Sequence, residues 1–174
     1  MKVISNSSPL INFAALERLD LLHTLYGTIA IPDAVYQEVV VAGRGYPDAT
    51  AVEQAGWIVR ESVHTATAVA ALRDLGPGEA EAIILAVEHP GSLLLLDDRQ
   101  GRLAASRFGI NVIGTLGVLL VAKRKGLVIV VAKYKSPLKG DGIPVMGWHV
   151  LRRCFGLLSN ACLDFPPLIY GDLY

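Results

Sequence analysis

Cysteine is nearly absent from this 174-residue chain, which has only Cys154 and Cys162, both close to its end. Their spacing fits neither a CxxC pair nor a zinc ligand set, so free thiols are expected, with a loop-closing disulfide as the alternative. The four histidines, His23, His64, His89 and His149, share no spacing that would make a ligand pair. Long apolar runs are missing too. In the C-terminal half the longest, Val112 to Ala122, is closed by Lys123-Arg124-Lys125, well short of the about 20 residues a membrane span needs. At the start, Lys2 is followed by Ser5-Asn6-Ser7-Ser8-Pro9, which interrupts any signal-peptide core. These absences predict a cytoplasmic protein with no membrane partner.

Net charge is also missing, because 16 Lys+Arg balance 16 Asp+Glu. Taken whole, that balance argues against both a basic nucleic-acid binder and an acidic tail. The two parts of the chain differ, however. Residues 1–110 hold 8 basic and 13 acidic residues, or −5, whereas residues 111–174 hold 8 and 3, or +5, with no Glu after Glu88. Hydrophobic residues make up 52% and charged residues 18% of the chain, enough apolar material for one compact domain with a sizeable core.

Short apolar runs alternate with helix-like segments, the pattern of a parallel sheet with crossover helices. Strands are expected at about Lys2–Ser5, Thr28–Ile31, Trp57–Val59, Leu93–Leu96 and Ile110–Ile113. The four consecutive leucines of the fourth suit a strand buried on both faces. Helices are expected from Ser7 or Ser8 through Leu21, from Pro32 through Val40, in a short stretch after the Gly43–Asp48 loop, over Thr65–Leu75, Glu79–Glu88, Arg99–Phe108 and Thr115–Lys125. Gly76-Pro77-Gly78 reads as a turn. Beyond about residue 132 the composition shifts, since that quarter holds both cysteines, four of the nine prolines and six of the twelve aromatic residues. Only Val150–Leu158 looks helical there. The chain therefore divides into a body, residues 1–132, and an atypical tail, residues 133–174.

In an open parallel sheet, ligands bind outside the C-terminal ends of the strands, so polar residues at those ends are the first candidates. Asn6 follows the first strand, Asp97 and Asp98 the fourth, and Thr115 the last. Glu38 lies in the helix after the second strand, while Glu79 and Glu81 open the helix before the fourth. Carboxylates without matching Cys or His suit a hard cation, Mg²⁺ or Mn²⁺. Each acid also has a plain reading: Glu38 as an exposed helix acid, Glu79 and Glu81 as helix N-terminal charge, Asp97 or Asp98 as a cap. Two residues apart on a helix, Glu79 and Glu81 point in different directions, so one of them enters the crevice. Arg99, Arg102 and Arg107 lie on the helix beside the acidic pair, either to contact RNA phosphate or simply to solvate a face.

Four segments together carry a family resemblance. Val3-Ile4-Ser5-Asn6-Ser7-Ser8-Pro9-Leu10-Ile11, Ile31-Pro32-Asp33-Ala34-Val35-Tyr36-Gln37-Glu38-Val39, Gly78-Glu79-Ala80-Glu81-Ala82-Ile83 and Leu95-Leu96-Asp97-Asp98-Arg99-Gln100-Gly101-Arg102 resemble, in order, the motifs of PIN domains. The match is closest to an uncharacterised bacterial branch related to VapC-type toxins. The resemblance implies an α/β fold of three layers, α/β/α, around a mainly parallel sheet. It also implies a ribonuclease using one or two Mg²⁺ or Mn²⁺ ions, often the toxin of a toxin–antitoxin pair. By motif, Glu38, Glu81 and Asp98 are the catalytic acids, with Asp97 an adjacent metal ligand. Ser8 is the positioning hydroxyl and Thr115 a second one after the last strand.

Two departures qualify this reading. Asn6 replaces the first acid, offering a carbonyl oxygen as a metal ligand but no charge and no base. The tail from about Val130 lacks the acid-bearing amphipathic helices expected of the family. The implied partners are RNA, a small antitoxin protein and a second copy of the chain in a homodimer. The alternative is a catalytically silent PIN-fold module that binds RNA or an antitoxin.

Overall fold

The computed structural model describes residues 1–128. Five parallel strands, β1 (Val3–Ser5), β2 (Ile29–Ile31), β3 (Ile58–Arg60), β4 (Leu93–Leu95) and β5 (Asn111–Ile113), form one sheet in the order β3-β2-β1-β4-β5. Val3 pairs with Ile29 and Leu93, and Leu95 pairs with Ser5 and Ile113. The strand order reverses between β1 and β4, so the topological switch point lies outside the ends of those two strands.

Helices α1 (Ser7–Ala15), α2 (Leu19–Tyr26), α3 (Asp33–Tyr36), α4 (Pro47–Gln54), α5 (Ala66–Ala71), α6 (Pro77–Glu88), α7 (Arg99–Arg107) and α8 (Thr115–Arg124) complete the described residues. Two compact units divide them, residues 1–115 and the segment from Leu116 onward, which contains nearly all of α8. Within the first unit α1 packs with α2 and α4, while α6 lies on β1 and β4 between α5 and α7. This is the three-layer α/β arrangement of a PIN-like fold. None of the described helices is long and apolar enough to cross a membrane.

The central strands are apolar on both faces because helices cover both, and β1 and β2 are buried throughout. Ile4, Ala30, Ile83, Leu85, Leu94 and Leu96 form one continuous core, with Ala82, Ala86 and Ala105 letting α6 and α7 approach the sheet closely. Phe13, Leu10, Leu21 and Leu22 are likewise fully enclosed.

Three expected helices differ from their sequence reading. The first is two: Glu17 adopts φ 54°, and the amides of Glu17 and Arg18 close back on the carbonyls of Ala14 and Phe13. That left-handed stop usually carries Gly or Asn, so a Glu there gives no warning. The helix expected over Thr65–Leu75 shortens to α5, none of whose residues is fully buried, so little packing energy supports a longer helix. Conversely, α6 begins at Pro77, inside the expected turn, because proline fits the first helical position, whose amide needs no partner. The readings that fall on Cys154, Cys162, Val150–Leu158 and the tail lie outside the described residues.

Two buttresses tie the loops to this frame. Glu88, at the end of α6, accepts from the amides of His64 (3.0 and 3.1 Å) and Thr65 (2.8 Å). Lys2 donates to Glu61 at 2.6 Å, and His89 Nε2 stands 2.7 Å from the same carboxylate. Burial works to raise the Glu88 pKa, but its His64 and Thr65 donors outweigh that and hold it below its ordinary 4.5. The Lys2 ammonium does the same for Glu61, against burial and with help from His89.

Both groups therefore add stability above their unfolded value and lose it as the pH falls through their lower folded values. Thermal melting is expected to drop on acidification below about pH 4.5, and Glu61→Gln/Glu88→Gln to melt lower at neutral pH with a shallower acid slope. An unchanged acid slope in the double variant would contradict this.

Candidate active site

The candidate site is assembled at the switch point. Asn6 is carried there directly by β1, its amide hydrogen-bonded to the Leu95 carbonyl of β4 at 3.1 Å. The residue is only 2% exposed, yet its side-chain Oδ1 has no partner. An unpaired buried carbonyl oxygen costs free energy unless something else binds it.

Glu38 reaches the same region from a π-helical turn, Gln37–Val41, where the Ala42 amide bonds to the Gln37 carbonyl at 2.8 Å. Such turns re-aim side chains and recur at functional sites. Its Oε1 accepts from the Gly78 amide at 2.9 Å, and Oε2 accepts from the Ser7 hydroxyl. A Cβ on Gly78 would stand 2.5 Å from Glu38 Oε2 and 2.9 Å from Oε1. Only glycine leaves room for the carboxylate in that position.

Asp98 is the N-cap of α7, with Oδ1 accepting from the Gly101 amide at 2.8 Å. Asp97 is held on both oxygens: Oδ1 accepts from the Thr115 amide at 2.7 Å, and Oδ2 from the Thr115 hydroxyl at 2.5 Å and Asn12 Nδ2 at 3.1 Å. Asn12 also donates to Thr115 Oγ1 at 3.3 Å. This network joins α1, the end of β4 and the first residue of α8. It anchors the loop that carries Asp98.

The two glutamates of α6 meet different partners. Glu81 Oε2 accepts from the Ala34 amide at 2.7 Å, in the first turn of α3. Glu79 is pushed above its ordinary pKa first by burial and then by the Asp98 charge; the Gly76 amide opposes this and the Glu38 charge adds to it.

Of the residues singled out from the sequence, the structure gathers Asn6, Glu38, Asp97, Asp98 and Thr115 around β1, β4 and the helices that begin beside them. Ser8 is the residue after the hydroxyl that touches Glu38. Arg99 and Arg102 are exposed on α7. Read from the sequence, Ser7 is a helix start and Gly78 part of a turn, and Asn12 has no role. A polar Asn12 inside the apolar run Leu10-Ile11-Asn12-Phe13 was the one available signal.

An all-oxygen set of carboxylates plus one amide carbonyl suits a hard dication in chemistry. Among the described residues no three His, Cys, Asp or Glu side chains are gathered into one coordination sphere.

Acidic side chains stand at the switch point of a three-layer parallel α/β fold, an arrangement that fits a nuclease-type fold. A family model for the PIN domain matches residues 2–143, and the chain belongs to the PIN-domain family. That match runs beyond residue 132, where the composition changes. A search of curated proteins gives no significant match. PIN domains are in general divalent-metal dependent.

Proposed function

We propose that the chain is a Mg²⁺- or Mn²⁺-dependent endoribonuclease with one metal site. The observation that carries this reading is the buried, unpartnered Oδ1 of Asn6 at the end of β1, next in the chain to Ser7, whose hydroxyl holds Glu38. A dication bound there would neutralise charge on a phosphodiester and lower the pKa of water. Glu38, Glu79 and Asp98 would hold it, and Asn6 would add a neutral oxygen. Glu81 is the third acid that motif position alone suggests, and Asp97 and Thr115 position the loop. The nuclease body is taken as residues 1–132, with RNA as substrate. A small antitoxin and a second copy of the chain are the protein partners this reading adds, and a small partner gene directly upstream would support the toxin role.

The second reading, a silent PIN-fold module binding RNA or an antitoxin, is favoured by one feature. Asn6 removes a negative ligand from the position of the first acid.

Calorimetric Mn²⁺ titration and cleavage of a mixed RNA pool separate the two. The parent chain is expected to bind Mn²⁺ and to cleave RNA only with metal. Asn6→Asp should bind Mn²⁺ more tightly, and Glu79→Gln should weaken binding more than Glu81→Gln. Cleavage that appears only in Asn6→Asp establishes the silent reading, and parental cleavage that survives EDTA removes the metal assignment.

A further inference from the structure

Helix α7 is capped by Asp98 and carries basic charge outward from the acids. Its nine residues, Arg99 to Arg107, include three arginines and no acid. Arg99, Arg102, Leu103, Ser106 and Arg107 are all exposed, and at helical spacing they fall on one side of the helix. The apolar side, with Gly101 and Ala105, is buried. Among the described residues none of the three arginines enters an ion pair, so none of them is held by a carboxylate partner.

Arg102 stands nearest the site. The point where a Cβ on Gly114 would sit is 2.7 Å from Asp97 Oδ1 and 3.1 Å from Arg102 Nη1. The guanidinium thus folds back over the loop that carries the acids. It is an exposed cation at the edge of an anionic crevice with no carboxylate paired to it. Arg99 and Arg107, eight residues apart, are separated by about 12 Å along the helix axis.

We propose that this face of α7 is a track for the phosphodiester backbone of single-stranded RNA, with Arg102 contacting the phosphate closest to the acidic site and Arg99 and Arg107 contacting its neighbours. The track rests on the nuclease reading above and adds to it the surface that receives the substrate. Guanidinium forks suit phosphate oxygens bidentately, and Leu103, 56% exposed, puts no competing charge between them. Phosphate contacts of this kind fix register without reading sequence.

The test is binding of a labelled single-stranded RNA to the full chain in EDTA, measured by fluorescence anisotropy over a range of salt. Arg99→Ala/Arg102→Ala/Arg107→Ala is expected to bind at least tenfold more weakly at low salt. Its slope of log affinity against log salt should fall by about 2, given about 0.7 per single-strand phosphate contact. Arg102→Lys should keep the parental slope because it keeps the charge. Arg44→Ala, on an exposed residue away from α7, is the control for overall charge.

Parental affinity and slope in the triple variant, or an equal loss in Arg44→Ala, overturns the track. If the parent also cleaves RNA with Mn²⁺ in that case, the nuclease reading stands without it. A parent that neither binds nor cleaves RNA overturns both.

Discussion

Asp98→Asn is expected to lower metal-dependent RNA cleavage roughly a hundredfold or more, while leaving the melting temperature within about 2 °C of the parent. The two effects separate because Asp98 has two jobs. One oxygen caps α7 by accepting from the Gly101 amide at 2.8 Å, and an asparagine carbonyl caps about as well as a carboxylate. The negative charge is a different matter, since it adds to burial in raising the Glu79 pKa and would attract a dication. Asparagine keeps the cap and deletes the charge. Asp98→Ala deletes both, and its further loss of stability, about 1 kcal/mol for an N-cap, measures the cap alone. Cleavage by Asp98→Asn at the parental rate would remove Asp98 from the metal site and leave it as a cap.

The sheet was legible in the sequence because burial on both faces leaves a simple trace. Leu93-Leu94-Leu95-Leu96 followed by Asp97-Asp98 gives both an interior strand and the polar end of it, and β4 lies between β1 and β5 as that pattern requires. The candidate acids were legible for the same reason, as polar residues interrupting apolar runs. What could not be read is which partner each acid meets. Asn12 and Asp97 are 85 residues apart, and Asn12 and Thr115 are 103, so no local spacing links them.

The choice between Glu79 and Glu81 depends on the rotation of α6, which follows from where it begins. Starting the helix at Pro77 rather than Glu79 puts the Gly78 amide in the first turn, free to donate to Glu38. Likewise, a hydroxyl was expected near the first motif, but whether Ser7 or Ser8 faces Glu38 is set by the turn from β1 into α1.

Gly78→Ala is the sharpest test of that geometry. A Cβ at this position would lie 2.5 to 2.9 Å from the Glu38 carboxyl atoms, closer than any real contact, so one of the two must move. The Gly78 backbone is fixed in the first turn of α6, whereas the exposed Glu38 side chain can rotate. The carboxylate therefore gives way. The fold should survive, because alanine is favoured over glycine within a helix by up to about 1 kcal/mol, which offsets the lost hydrogen bond.

Metal-dependent cleavage is expected to fall about tenfold to a hundredfold, with weaker Mn²⁺ binding in calorimetry and a melting temperature close to that of the parent. Glu38→Gln should lose as much or more. The double variant Gly78→Ala/Glu38→Gln should be no worse than Glu38→Gln alone, since both changes act through one carboxylate. Additive losses would mean that Gly78 serves the site by some route other than Glu38. Full activity in Gly78→Ala would mean that the carboxylate works equally well elsewhere, and that its hold on Ser7 and Gly78 is a resting position.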